Sequence, residues 1–171
     1  VTPFLTLTVT IFLMLFILGP VTHQLEVYVT DFILMLIEAP LGIGYMIYGG
    51  LQQVLVITGL HHSLSIIELQ LLADTGVNVL NPLGTASMAG QFGAAISAAL
   101  LMKNKLKKTN ALSSTTSTLF GITEPLLFGV NLRSMKIFIS GILGGAVGGL
   151  LTYVFGLAAT GMGITFIPGL L

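Results

Sequence analysis

Apolar residues run almost unbroken over residues 4–21, and about 20 in a row suffice to cross a bilayer. Gly19-Pro20 is expected to close this first span, and a polar patch follows at residues 22–26. A second apolar stretch occupies residues 27–59 but is interrupted by Glu38, Pro40, Gly42 and Gly44. Its length predicts two pieces, a half-helix or hairpin arm ending at Ala39 and a span over residues 41–60. Residues 61–82 are less apolar, carry Glu68 and Asp74, and read as a partly embedded connector. A span rich in Gly, Ala and Ser follows over residues 83–102, a composition suited to close helix packing in a membrane. Residues 103–108 form a polar loop. Another span is predicted at 135–157, where Gly141, Gly145 and Gly149 recur every fourth residue and so share one helix face. A short apolar tail, residues 158–171, ends the chain.

Residues 112–132 do not fit a simple span. They open with Ser113-Ser114-Thr115-Thr116-Ser117-Thr118, which is poor material for a lipid-facing helix, and break at Gly121 and Pro125. Irregular backbone at membrane depth survives only where protein or a water-filled cavity surrounds it. Lys103, Lys105, Lys107 and Lys108 precede the segment, and Arg133 and Lys136 follow it. A re-entrant hairpin keeps both basic flanks on one side, which the positive-inside rule makes cytoplasmic. The pattern therefore predicts an all-α integral membrane protein, a polytopic helical bundle with a re-entrant hairpin.

Composition sharpens this. Charged residues are 7% of the 171 and hydrophobic ones 54%, whereas soluble domains carry about 25% charged residues. Six basic residues balance six acidic ones, so no nucleic-acid partner is implied. There is no cysteine, which excludes disulfides, thiolate metal sites and cysteine nucleophiles. The chain begins at Val1 with no charged region of a signal peptide, and is expected to be the later part of a longer membrane protein.

Within so little charge, Glu124 stands out. An acidic side chain at bilayer depth costs about 2.5–3.5 kcal/mol on insertion scales, so it is expected to face a cavity or a partner. Proline fits best in the first turn of a helix, so Thr123-Glu124-Pro125 marks a helix start bearing a polar site; a helix-capping role is the plainer alternative. The second polar group is Thr58-Gly-Leu-His61-His62-Ser63. Adjacent histidines point to different faces and no third ligand is evident, so no metal or other cofactor is expected. Gln52 and Gln53 lie earlier on the same apolar segment. Gln53 and His61 fall about 80° apart around a helix, near enough to share a cavity wall, although interhelical hydrogen bonds would equally account for the glutamines.

Gly121-Ile-Thr-Glu-Pro125 with Phe128-Gly-Val-Asn-Leu-Arg133, and Thr58-Gly-Leu-His-His62 upstream, resemble the membrane enzyme IIC component of the bacterial phosphoenolpyruvate-dependent sugar phosphotransferase system, glucose superfamily. The resemblance covers essentially the whole chain, and Asn131-Leu132-Arg133 and the Glu68–Asp74 connector bring it closest to the sucrose, trehalose and glucoside branch. It implies that residues 1–171 are the C-terminal, sugar-binding part of an inner-membrane transporter, without its N-terminal helices, which form the homodimer, and without the soluble enzyme IIB domain. It implies uptake of a sugar, a disaccharide or glucoside, coupled to phosphorylation by a phosphocysteine on enzyme IIB. The present chain would then be the membrane subunit of a phosphotransferase, lacking the donor cysteine. Glu124 would accept the proton of the sugar 6-hydroxyl. His61, His62, Thr123, Gln53 and Asn131 would contact sugar, and Arg133 would meet the donor phosphate or anchor the hairpin at the interface. The alternative is a proton-coupled secondary sugar transporter that leaves its substrate unmodified.

Overall fold

A computed structural model describes residues 2–163 and 166–167. Among them there are eight α-helices, several joined by short 3-10 turns, with no strand and one isolated bridge between Asn78 and Ala159. Three helical stretches are long and apolar enough to cross a membrane, Pro3–Ile37, Pro40–Thr58 and Met135–Val154. The all-helical membrane fold read from the sequence stands.

The first span does not end where Gly19-Pro20 suggests. Helix α1 (Thr2–Leu13) passes through a π-helical turn, Met14–Leu18, directly into α2 (Gly19–Ile37). The wider turn lets the Gly19 N–H donate to the Met14 carbonyl, and Pro20 then falls in the first turn of the new ladder, where its missing N–H costs little. A side chain at 19 would press on that same carbonyl, 2.9 Å from the Cβ position. The expected break at Pro40 is real. α2 stops at Ile37, Leu41 and Gly42 take left-handed conformations (φ 62° and 73°), and α3 (Ile43–Thr58) begins in a new direction.

The 61–82 connector is largely helical, with α4 (Leu64–Thr75) ended by a left-handed Gly76. α5 (Leu80–Leu101) covers the expected 83–102 span and is about 33 Å long. It carries Asn81, Ser87 and Gln91 and is less apolar than the three candidate spans, in keeping with a helix walled by protein. Residues 103–108 are a loop only at their start. Asn104 accepts the Lys107 N–H at 3.0 Å and caps α6 (Lys105–Thr116).

The centre of the molecule is the packing of α5 and α3 on α8 (Met135–Val154). A Cβ on Gly145 would collide with the Gly49 carbonyl, one on Gly149 with the Tyr45 carbonyl, and one on Gly90 with the Gly145 N–H. Glycine at these positions is what lets three backbones meet. Two apolar clusters flank this junction. Ile33, Tyr48, Leu64, Ile67, Leu80 and Leu83 join α2 to α4. Val56, Ala95, Ala99, Ala111, Leu126, Leu127, Val130 and Phe138 lie beneath the hairpin.

The 112–132 segment folds back on itself. α6 runs through a 3-10 turn, Ser117–Phe120, to left-handed Gly121 (φ 86°), and the chain returns through α7 (Glu124–Gly129). The Ser117 hydroxyl donates to the Ile122 carbonyl at 3.0 Å, and Gly129 lies against Ser114 on the opposite arm.

Candidate functional site

α3 ends because Gly59 adopts φ 79° at its C-cap. Open space surrounds the position, so the requirement is conformational, not steric. The chain then turns through Leu60–Ser63, which sets His61 at the mouth of a cavity and stacks it on His62 with ring centroids 4.0 Å apart. His61 is half-buried and its Nδ1 has no hydrogen-bond partner among the described residues. Burial, helped by the neighbouring His62, lowers its pKa, while the Glu124 carboxylate and the Leu55 carbonyl pull the other way. The imidazole is therefore neutral near pH 7, leaving one ring nitrogen to accept and one to donate.

Gln53 is wholly buried on α3 two turns earlier. Its Nε2 donates to Gln52 Oε1 at 2.6 Å, but its own Oε1 has no partner among the described residues. From the hairpin, Gly121, Thr123 and Glu124 reach the same space. α7 starts at Glu124 with Pro125 in its first turn, as the sequence indicates. Thr123 occupies the N-cap position without a side-chain cap bond, and the Glu124 carboxylate makes no hydrogen bond or ion pair among the described residues. Gln53, His61, Thr123 and Glu124 thus converge on one cavity of about 200 Å³. A buried acceptor without a donor costs about 1–3 kcal/mol, a cost that a polar occupant of the cavity would relieve.

The sequence pattern did not single out the opposite wall. Glu68 on α4 accepts from Asn78 Nδ2 at 3.0 Å and is half-buried in the same cavity. Burial raises its pKa and the Asn78 bond partly opposes this. Asn78 is rigidly held. Its Oδ1 accepts the Leu80 and Asn81 N–H groups, and its backbone pairs with Ala159. The available signal was spacing, since Glu68 follows His61 by seven residues, two helical turns on one face.

The remaining site candidates lie elsewhere. His62 touches the cavity only through His61. Asn131 is fully buried at the α7–α8 junction, where its Nδ2 donates to Gln91 Oε1 at 2.5 Å and to the Gln91 carbonyl at 3.2 Å. Arg133 is exposed at the base of the hairpin and lines a separate cavity. No group of three His, Asp or Glu side chains able to hold a metal occurs among the described residues.

A family model described as "Phosphotransferase system, EIIC" matches residues 1–145. The chain is 38% identical over 168 residues to the PTS system sucrose-specific EIIBC component of Bacillus subtilis (strain 168), covering 98% of this chain and 36% of that protein. It is 32% identical over 167 residues to the trehalose-specific EIIBC component of the same organism, covering 97% of this chain and 36% of that protein. It is 32% identical over 171 residues to the sucrose-specific EIIBCA component of Pediococcus pentosaceus, covering 98% of this chain and 26% of that protein. The chain spans between a quarter and just over a third of the length of these curated relatives. No solved structure gives a significant match.

Proposed function

This chain belongs to the phosphotransferase system enzyme IIC family, in the branch of the sucrose and trehalose components, and on that premise we propose that it is the C-terminal, sugar-holding part of a bacterial inner-membrane permease that delivers its sugar as a phosphate ester. The substrate is sucrose or a related glucoside. The phosphate donor is a phosphocysteine on an enzyme IIB domain, fused or separate, and the full-length protein is a homodimer.

The carrying observation is the convergence of Glu124 and His61 with the orphaned Gln53 carbonyl on one cavity at the hairpin tip. Sugar hydroxyls are both donors and acceptors. Gln53 Oε1 and the free His61 nitrogen accept from them, and Thr123 offers a hydroxyl of its own. Glu124 is a carboxylate without competing partners. It takes the proton of the sugar 6-hydroxyl as that oxygen bonds to phosphorus, the phosphorus–sulfur bond breaks, and the cysteine departs as thiolate. Glu124 ends protonated and the sugar carries the phosphoryl group. His62 holds His61 in place by stacking, and Asn131 fixes the far end of the hairpin to α5. Lys103, Lys105, Lys107 and Lys108 face the cytoplasm, as does Arg133.

The test is uptake by vesicles bearing the full-length protein. Sugar should accumulate only as its phosphate, and only with phosphoenolpyruvate and the soluble phosphocarriers present. Accumulation of unmodified sugar driven by a pH gradient alone would overturn the proposal in favour of a proton-coupled transporter.

A further inference from the structure

All six basic residues of the chain lie at the base of the hairpin, in or next to residues 103–108 and 133–136. Between them is a second cavity of about 330 Å³, enclosed by α6, the Asn131–Arg133 turn and the start of α8. Lys107 and Arg133 line it from the two arms of the hairpin, and no carboxylate of the described residues lines it. Neither side chain has a hydrogen-bond or ion-pair partner among the described residues. Lys108, by contrast, has its ammonium on the Leu100 carbonyl. Ser114 and Ser134 add hydroxyls, and Met102 and Ile137 give the cavity an apolar wall.

The donor's phosphate does not fit this place while it reacts. The cavity shares no lining residue with the sugar cavity, and buried Leu126 and Leu127 lie on α7 between the residues that line the two. Arg133 lies nine residues beyond Glu124, past the end of α7 and in the 3-10 turn that follows it, whereas reacting atoms must approach to about 3–3.5 Å. A free inorganic anion would satisfy the two cations but leave the apolar wall unused. A phosphodiester attached to acyl chains satisfies both, and basic pockets between membrane helices are known seats for such headgroups.

We propose that the Lys107–Arg133 cavity binds the headgroup of an anionic phospholipid, which bridges the two arms of the hairpin at the membrane surface. The full-length protein, in nanodiscs of phosphatidylethanolamine with or without phosphatidylglycerol, supplies the test, with retained lipid counted by native mass spectrometry. One phosphatidylglycerol per chain should be retained. The paired change K107Q and R133Q should weaken its binding about 30-fold, from about 1 kcal/mol per cation at an anionic surface. The charge-preserving pair K107R and R133K, and K103Q outside the cavity, should retain it, which separates lost binding from lost folding. Unchanged retention in the neutral pair would overturn the proposal. So would displacement of the lipid by millimolar inorganic phosphate, which would make this a free-anion site. An effect of the neutral pair confined to the KM for phosphorylated enzyme IIB would assign the cavity to the donor instead.

Discussion

Glu124 begins a six-residue helix at the tip of the hairpin, and its carboxylate has no hydrogen bond or ion pair among the described residues. Glu124→Gln keeps size and one carbonyl acceptor but removes charge and basicity. In the full-length protein it should lower phosphotransfer by about 10²–10⁴-fold, the usual contribution of a general base, with the protein still monodisperse. Near-normal turnover would reduce Glu124 to a structural residue, since a lost cap costs only about 0.5–2 kcal/mol of helix stability. Glu68 gives a different signal. Its folded-state pKa is raised above the ordinary 4.5, so the folded protein holds this proton more tightly than the unfolded chain does. The stabilising contribution is complete below 4.5 and is lost as pH rises from there through the raised value. Glu68→Gln preserves an acceptor for Asn78 and cannot ionise. Thermal unfolding of the variant should therefore lose the wild-type decline in stability above pH 4.5; an identical pH profile would show that Glu68 is not burdened by burial. The His61 and Glu124 motifs were legible as sequence because both interrupt apolar runs. Asn78 was not, because its importance lies in the bonds that tie Glu68, the first residues of α5 and Ala159 to one side chain and its backbone.

Among the helices, the glycine ladder of α8 could be read directly, since a four-residue repeat puts Gly141, Gly145 and Gly149 on one face. Its partners could not. Gly49 and Gly90 belong to other helices, and no local pattern says which helix meets which. The same limit explains the misplaced end of the first span, where Gly19-Pro20 has the composition of a break and a π-turn makes it a continuation. Gly145→Ala should force α3 off α8 through the Gly49 carbonyl and lower stability by about 1–3 kcal/mol, the ordinary cost of overpacking. Gly93→Ala on α5, where no atom lies within 4 Å, should be neutral or stabilise by up to about 1 kcal/mol through helix propensity. Equal unfolding temperatures for the two variants in detergent would show that the triple contact contributes nothing. The hairpin makes a topological prediction. Cysteines at Lys107 and Lys136 should both be labelled from the cytoplasmic side, and labelling of Lys136→Cys from outside alone would mean a full crossing.

For the molecule as a whole, the outlier is the continuous helix from Pro3 to Ile37. Its 35 residues extend about 52 Å, against a hydrocarbon core of about 30 Å. Residues 3–21 alone account for about 28 Å, which predicts that the polar patch around Thr22 and His23 meets the membrane surface and that the rest of α2 extends beyond it. A membrane-impermeant thiol reagent should therefore label Asp31→Cys and spare Phe12→Cys; protection of both would place the rod differently. Its far end is not loose, because Ile33 and Leu36 are buried where α2 meets the body. The joint beyond them includes Leu41, a non-glycine residue at φ 62°, a conformation that costs roughly 1–2 kcal/mol and persists only where its surroundings hold it. A helix braced at one end by lipid and at the other by a stiff elbow is a lever. Changing the thickness of the bilayer alters the tilt of such a helix, and the elbow passes the torque to α3, the helix that carries Gln53. Sugar affinity should then depend on acyl-chain length in reconstituted full-length protein, and Leu41→Gly, which slackens the elbow, should flatten that dependence.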